Sequence, residues 1–372
     1  LSFNQDFNGI QDARQRLDLL NLDTKKGGTD ALAVLQKRIA DQPDDSIALM
    51  KIAEIYDQQN DSEKAINAYE QALKQNPKNG RVMLALATLY SKNPQDSAKA
   101  LEMAKDAYKA APDDPDVSYT LGKLVFANGE YKYAASLFQQ SALKRSDDPE
   151  ISYDLARALY DIGRVSDAED TMRKLVQPDV SFSRKSQASQ FLDLLAIAEN
   201  PGNTGADDPR IKRALQSDPT NAPALMAVAA IAQAKGDSKA ASTAYEQILA
   251  RYPDFTPAIR QLAIYLVENP ANDSRTYDLA TKARQAYPTD KEIARTLGML
   301  SYRRGDFRSA ARLLNESLPA DSPNGQTLYY LGMAQYQLKN TKESKAALTQ
   351  ALGTNLPGQL ATEAKRVLAE LK

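Results

Sequence analysis

Apolar residues recur along most of this chain at intervals of three and four, the spacing that lays a stripe along one side of an α-helix. In YTLGKLVFANGEYKYAASLFQQS (119–141) the stripe runs through Leu121, Gly122 and Val125, breaks at a Gly-containing turn, and resumes at Ala134. Two short helices joined by a turn are predicted there. The same figure then repeats. A large apolar residue followed by Ala or Gly stands at Ile52-Ala53, Leu86-Ala87, Leu121-Gly122 and Leu155-Ala156, in steps of 34, 35 and 34. It returns at Val228-Ala229, Leu262-Ala263, Leu297-Gly298 and Leu331-Gly332 with the same three steps. Turns follow at Gly129-Glu130, Gly163-Arg164, Gly236-Asp237 and Gly305-Asp306, and the second helix carries small residues seven apart with a proline five later, as in Ala65, Ala72 and Pro77.

Two helices of about 12 residues with short turns fill this period, and a small residue on each lets the pair cross closely. Proline, lacking an amide hydrogen, ends the second helix. One pair cannot bury its own apolar face, so neighbours must stack into a solenoid. The period and the segments 119–141 and 47–77 resemble the tetratricopeptide-repeat (TPR) family, whose unit reads W-x2-L-G-x2-Y followed by A, F, A and P. The family Trp is absent, with Leu49, Met83, Leu225, Ile259 and Leu328 at its place. The resemblance implies an all-α fold, a right-handed α-solenoid superhelix of about ten TPR helix-turn-helix units. Eight units are distinct, at 46–79, 80–114, 115–148, 149–182, 222–255, 256–290, 291–324 and 325–358. Degenerate units are expected at about 6–45, with Ile10, Ala13, Leu17 and Leu20 on one face, and at 183–221. Leu360, Ala364, Val367, Leu368 and Leu371 share a face of 359–372, as suits a C-terminal capping helix.

The two sets of signatures lie 176 residues apart, and NPQDSAKALEMAKDAYKAAP (93–112) aligns with NPANDSRTYDLATKARQAYP (269–288), Asn-Pro included. A copied four-unit block explains both; convergence on the family pattern is the alternative. We therefore expect an N-terminal block over 1–182, a degenerate unit over 183–221 whose loop NPGNTGADDP (200–209) is a turn cluster or hinge, a second block over 222–358, and the cap.

Composition narrows the chemistry. With no Cys the chain has no disulfide or thiolate, and with no His it lacks the commonest general base and metal ligand. Lys and Arg number 47 against 48 Asp and Glu, which argues against a nucleic-acid backbone binder. The longest apolar run, ALMAVAAIA (224–232), is far short of the roughly 20 residues that span a bilayer. No phosphate-binding glycine loop or EF-hand pattern occurs, and Asp113-Asp114, Asp147-Asp148 and Asp207-Asp208 stand beside prolines as helix N-caps. The sequons at Asn60, Asn272 and Asn315 are what chance gives a chain this polar. We expect no enzyme activity, cofactor or metal. Because the chain starts at Leu1 rather than Met, we expect it to be processed or trimmed.

In TPR proteins the first helix of each unit lines a concave groove. Counting the small signature residue as position 8, positions 5, 9 and 12 face that groove. They gather Tyr119, Lys123, Phe126, Tyr153, Arg157 and Tyr160 in the first block, and Arg295, Tyr302, Tyr329 and Tyr336 in the second. Amphipathic rings give contact area at low entropy cost, and nearby cations orient acidic or backbone groups. The same rings could instead pack between adjacent helices. Positions 6 and 9 hold no Asn in any distinct unit, against the carboxylate clamp of chaperone-tail binders. The resemblance implies a non-enzymatic scaffold that holds a protein or peptide partner. One alternative is a bacterial envelope protein assisting exopolysaccharide assembly or export, with a polysaccharide ligand, in the periplasm or cell envelope rather than the cytoplasm. Another is the adaptor region of a larger enzyme.

Overall fold

The computed structural model describes residues 10–22, 28–202, 204–205, 207–268, 271, 273–319, 324–354 and 356–371, without the side chains of 10–13, 15, 28 and 29. Among these residues the secondary structure is helical throughout, with no strand. The eight predicted units are helix pairs: α3 (Ser46–Gln58) with α4 (Ser62–Gln75), α5 (Gly80–Tyr90) with α6 (Ser97–Ala110), α7 (Pro115–Ala127) with α8 (Tyr131–Lys144), and α9 (Pro149–Asp161) with α10 (Val165–Leu175). After α11 (Lys185–Glu199) and α12 (Pro209–Ser217) come α13 (Ala222–Ala234) with α14 (Ser238–Arg251), α15 (Thr256–Leu266) with α16 (Asp273–Ala286), α17 (Lys291–Arg303) with α18 (Phe307–Ser317), and α19 (Gly325–Gln337) with α20 (Thr341–Leu352). Helices α1 (Ile10–Leu20) and α2 (Gly28–Asp41) precede them, and α21 (Gly358–Glu370) follows as the cap. The face expected through Ile10 and Ala13, the Asn269-Pro270 turn, the Asn272 sequon and positions 203 and 206 of the 200–209 loop lie outside the described residues.

Close crossing explains the small residues. Position 8 is buried in every distinct unit. Facing it, the second helices bury Ala65 with Ala72, Ala100 with Ala107, and Ser344 with Ala351. Where Ser replaces Ala its hydroxyl is satisfied: Ser344 Oγ donates to the Gly332 carbonyl at 2.9 Å and Ser141 Oγ to that of Pro115 at 2.8 Å. The aspartates cap as expected, the second of each pair accepting from the first-turn amides: Asp114 from Asp116 and Val117, Asp148 from Glu150 and Ile151, Asp208 from Arg210.

The turn inside most pairs needs one left-handed residue, supplied by Asn60, Gly129, Gly163, Gly236, Gly305 and Lys339. The 80–114 unit uses its extra residue differently, closing the turn with a short 3-10 helix, Pro94–Asp96. Lys339 is exposed and has φ +62°, a conformation that burdens any residue with a Cβ. Lys339→Gly is expected to stabilise the protein by roughly 0.5–1 kcal/mol, seen as a higher urea midpoint at unchanged m-value.

The chain divides into two compact units: Leu1–Ala158 with Val180–Phe182, and Leu159–Asp179 with Ser183–Lys372. In the first, Leu49, Ile52, Ile55, Leu86 and Leu89 form a continuous core with the alanines of the second helices. In the second, Ile259, Leu297, Leu300 and Leu314 do the same. Within that unit α11 packs on α13 through Leu194 and Ile197 against Ala224, Ala227 and Ile231, and short α12 buries Ile211. One contact in the second unit departs from neighbour order. The ring of Tyr160 lies 5.2 Å from that of Phe255, the residue capping α15, and 5.0 Å from Phe191 on α11. Gly163 is pressed to the same place, for a Cβ there would lie 2.9 Å from the Thr256 amide nitrogen.

Candidate functional site

Helix α7 places Tyr119, Lys123 and Phe126 along the edge of the Leu121 and Gly122 stripe that meets α8, so that both rings also lean on Phe138 of that helix. Helix α9 sets Tyr153, Asp154 and Arg157 next to them. Tyr119 Oη donates to Asp154 Oδ2 at 2.7 Å, and its ring tilts against Phe138 with centroids 5.8 Å apart. Lys123 Nζ sits over the Tyr119 ring at 4.6 Å. Arg157 Cζ lies 5.2 Å from the centroid of Phe126, whose ring meets Tyr131 edge-on at 5.2 Å. Each contact between cation and ring stabilises by about 0.5–1 kcal/mol at exposed sites. Among the described residues neither Lys123 nor Arg157 takes a carboxylate partner, so both charges remain available to a ligand.

The remaining rings differ in availability. Tyr153 is 7% exposed and lies under Phe182, centroids 6.1 Å apart. Tyr160 is 2% exposed, and burial drives its hydroxyl well above the ordinary tyrosine pKa. The structure therefore brings Tyr119, Lys123, Phe126 and Arg157 together in the first unit, leaves Tyr153 one turn before Arg157 on α9 under Phe182, and puts Tyr160 in the packing of the second.

The second cluster is satisfied by its own chain. Arg295 reaches Glu268 Oε1 at 3.4 Å and Glu292 Oε2 at 3.6 Å, and lies 3.4 Å from Met299 Sδ. Tyr302 packs on Phe307 at 5.6 Å and Tyr330 at 5.4 Å, while Tyr329, 6% exposed, meets Tyr330 at 5.3 Å. Helix α21 brings charge to these rings: Tyr336 Oη donates to Glu370 Oε2 at 2.7 Å, and Arg366 pairs with Glu363 at 2.6 Å. Burial first, then Tyr302 and Glu363, pushes the Tyr329 pKa up to about 12. The candidate site is thus the first-unit patch, where cations rest on rings rather than on carboxylates.

Asp154, Tyr330, Glu268 and Phe182 belong to these clusters but not to groove positions 5, 9 and 12. Asp154 and Tyr330 occupy position 6, again 176 residues apart, and both bridge one first helix to the previous one. Reading position 6 for acids and rings would find them. Among the described residues no group of three acidic side chains is placed to hold a metal ion, and no helix is long and apolar enough to cross a membrane.

Comparison with known proteins supplies the family. A family model of the cytochrome c-type biogenesis protein H TPR domain matches residues 29–151, and three tetratricopeptide-repeat models match 125–185, 224–254 and 295–359. No curated protein sequence matches. Among solved structures the chain is similar to YrrB, a TPR protein with an unusual peptide-binding site: 16% identity over 61% of this chain and 96% of YrrB, TM-score 0.37. It is also similar to the P58(IPK) TPR domain, at 13% identity over 89% of this chain and 99% of that one, TM-score 0.32. A tetratricopeptide repeat protein from Parabacteroides merdae is 11% identical over 88% of this chain and 98% of its own, TM-score 0.32. The repeat spacing, the helix pairs closed on small residues and the four family matches agree, and the chain is a multi-repeat tetratricopeptide-repeat protein.

Proposed function

We propose that this protein is a non-enzymatic scaffold whose first unit binds a protein or peptide partner through Tyr119, Lys123, Phe126, Tyr153 and Arg157. The observation that carries this reading is the pair of cations lying on ring faces and taking no carboxylate partner among the described residues. A ligand that places an apolar side chain on such a floor and a carboxylate above it gains contact area and a charge-assisted hydrogen bond together. A peptide with acidic residues beside aromatic or aliphatic ones has that chemistry. Repeat proteins of this family act as interaction scaffolds, which supports the non-enzymatic assignment.

The match over 29–151 to a TPR domain of cytochrome c-type biogenesis supports placing the chain in the bacterial periplasm or cell envelope. An exopolysaccharide ligand is the less favoured reading. Sugars stack on open ring faces, whereas Lys123 and Arg157 lie over those of Tyr119 and Phe126, and Phe182 covers Tyr153.

Selection from a displayed peptide library against the purified chain tests the proposal. Enrichment of acidic-apolar peptides is expected, with at least tenfold weaker binding to the Lys123→Glu/Arg157→Glu variant. Lys123 is exposed and Arg157 half-buried, so losing their two contacts with rings should lower the melting temperature by only a few degrees. Selected peptides that bind the variant as tightly as the parent would overturn it.

A further inference from the structure

The connector between α10 and α11 is longer than those between the other successive helix pairs. Successive pairs are joined by four residues at 76–79, 111–114, 145–148, 252–255 and 287–290 and by seven at 318–324, but nine residues, 176–184, separate α10 from α11. Its middle, Val180–Phe182, has neither helical nor turn structure. These three residues belong to the first compact unit, while Asp179 before them and Ser183 after them belong to the second. What they do there is specific: Phe182 places its ring on Tyr153 at 6.1 Å, at a groove-facing position of α9. Val180 and Phe182 are both half-buried and Ser181 between them is exposed, the alternation of a segment laid on a surface with one side down.

We infer that Val180–Phe182 is an internal occupant of the peptide site, a strap that holds the Tyr153 end of the patch and gives way to a partner segment carrying the same apolar-polar-aromatic pattern. The inference rests on the groove reading above and deepens it by naming the chemistry of the bound segment. Four residues close five of the other junctions, so the extra length here is what lets the segment reach and leave its seat. A tethered occupant competes at an effective concentration in the millimolar range, so it lowers the apparent affinity of any free ligand by the fraction of time the site is open. It sets a threshold: weak or mismatched segments fail to displace it.

Two measurements on the full chain test this. The first titrates a fluorescent peptide with the sequence of residues 177–185, QPDVSFSRK, against the parent and against Val180→Ala/Phe182→Ala. The variant, its strap disarmed, is expected to bind the peptide at least tenfold more tightly than the parent, and a control peptide with Ala at both positions should bind neither. The second uses the absence of Cys from the chain to place a single spin label at Ser181→Cys. The label should be immobile in the parent background and mobile when Phe182→Ala is added, with helix content unchanged. Equal binding by parent and variant, no binding by either, or a label equally mobile in both backgrounds would overturn the inference. The groove reading has a separate readout, since it stands or falls on Lys123 and Arg157 with selected peptides, whatever the strap peptide does.

Discussion

Tyr160→Ala is expected to destabilise the second unit by about 3–5 kcal/mol, the range for emptying a large buried aromatic site. The ring is 2% exposed and rests on Phe191 and Phe255, so truncation leaves a cavity bounded by two rings that helix packing holds in place. Urea unfolding followed by circular dichroism should show a lower midpoint for the part of the signal that belongs to this unit. The measurement also decides between two uses of the residue. A ring offered to a ligand would lose binding on truncation and little stability, about 0.5 kcal/mol or less. A loss of several kcal/mol with peptide binding intact is what the geometry requires.

Gly298→Ala and Gly332→Ala should each cost about 1–3 kcal/mol through overpacking. A Cβ at Gly298 would lie 2.7 Å from Leu314 Cγ and 3.1 Å from its backbone nitrogen; at Gly332 the corresponding distances to Leu348 are 2.6 Å and 3.1 Å. The sign is the informative part. In an unconstrained helix interior the same change is favourable by about 1 kcal/mol. Ala53, Ala87, Ala156, Ala229 and Ala263 hold the equivalent position in other units, so alanine is compatible with the repeat itself. The expected loss therefore reports how closely α17 approaches α18 and α19 approaches α20. Thermal melts showing a gain for either variant would mean that those helices stand farther apart.

The fold was legible because its determinants are local and periodic. Position 8, the small pair on the second helix and the capping aspartates each answer to geometry within one unit, and all three are visible as residue types at fixed spacing. The cations of the candidate site were legible for the same reason: Lys123 and Arg157 fall on the face that the packing stripe leaves over. Availability was not. Tyr160 and Tyr336 share position 12 and lie 176 residues apart, yet one is enclosed by Phe191 and Phe255 and the other is half-buried and bonded to Glu370. What covers each ring arrives from elsewhere in the chain, and a repeat pattern has no term for that. Phe182 escaped for a related reason, since it sits in a connector with no repeat position at all.

The contact between Tyr160 and Phe255 also bears on the order of assembly. Neighbouring units meet across some 34 residues, whereas this pair is separated by 95. On loop-closure grounds the longer span costs about 1 kcal/mol more to close, unless the helices between have already shortened it. The two rings therefore meet after the intervening repeats have formed, late on the folding route. Tyr160→Ala should accordingly leave the refolding rate almost unchanged and appear as faster unfolding, so that this residue governs how long the second unit stays folded more than how quickly it gets there.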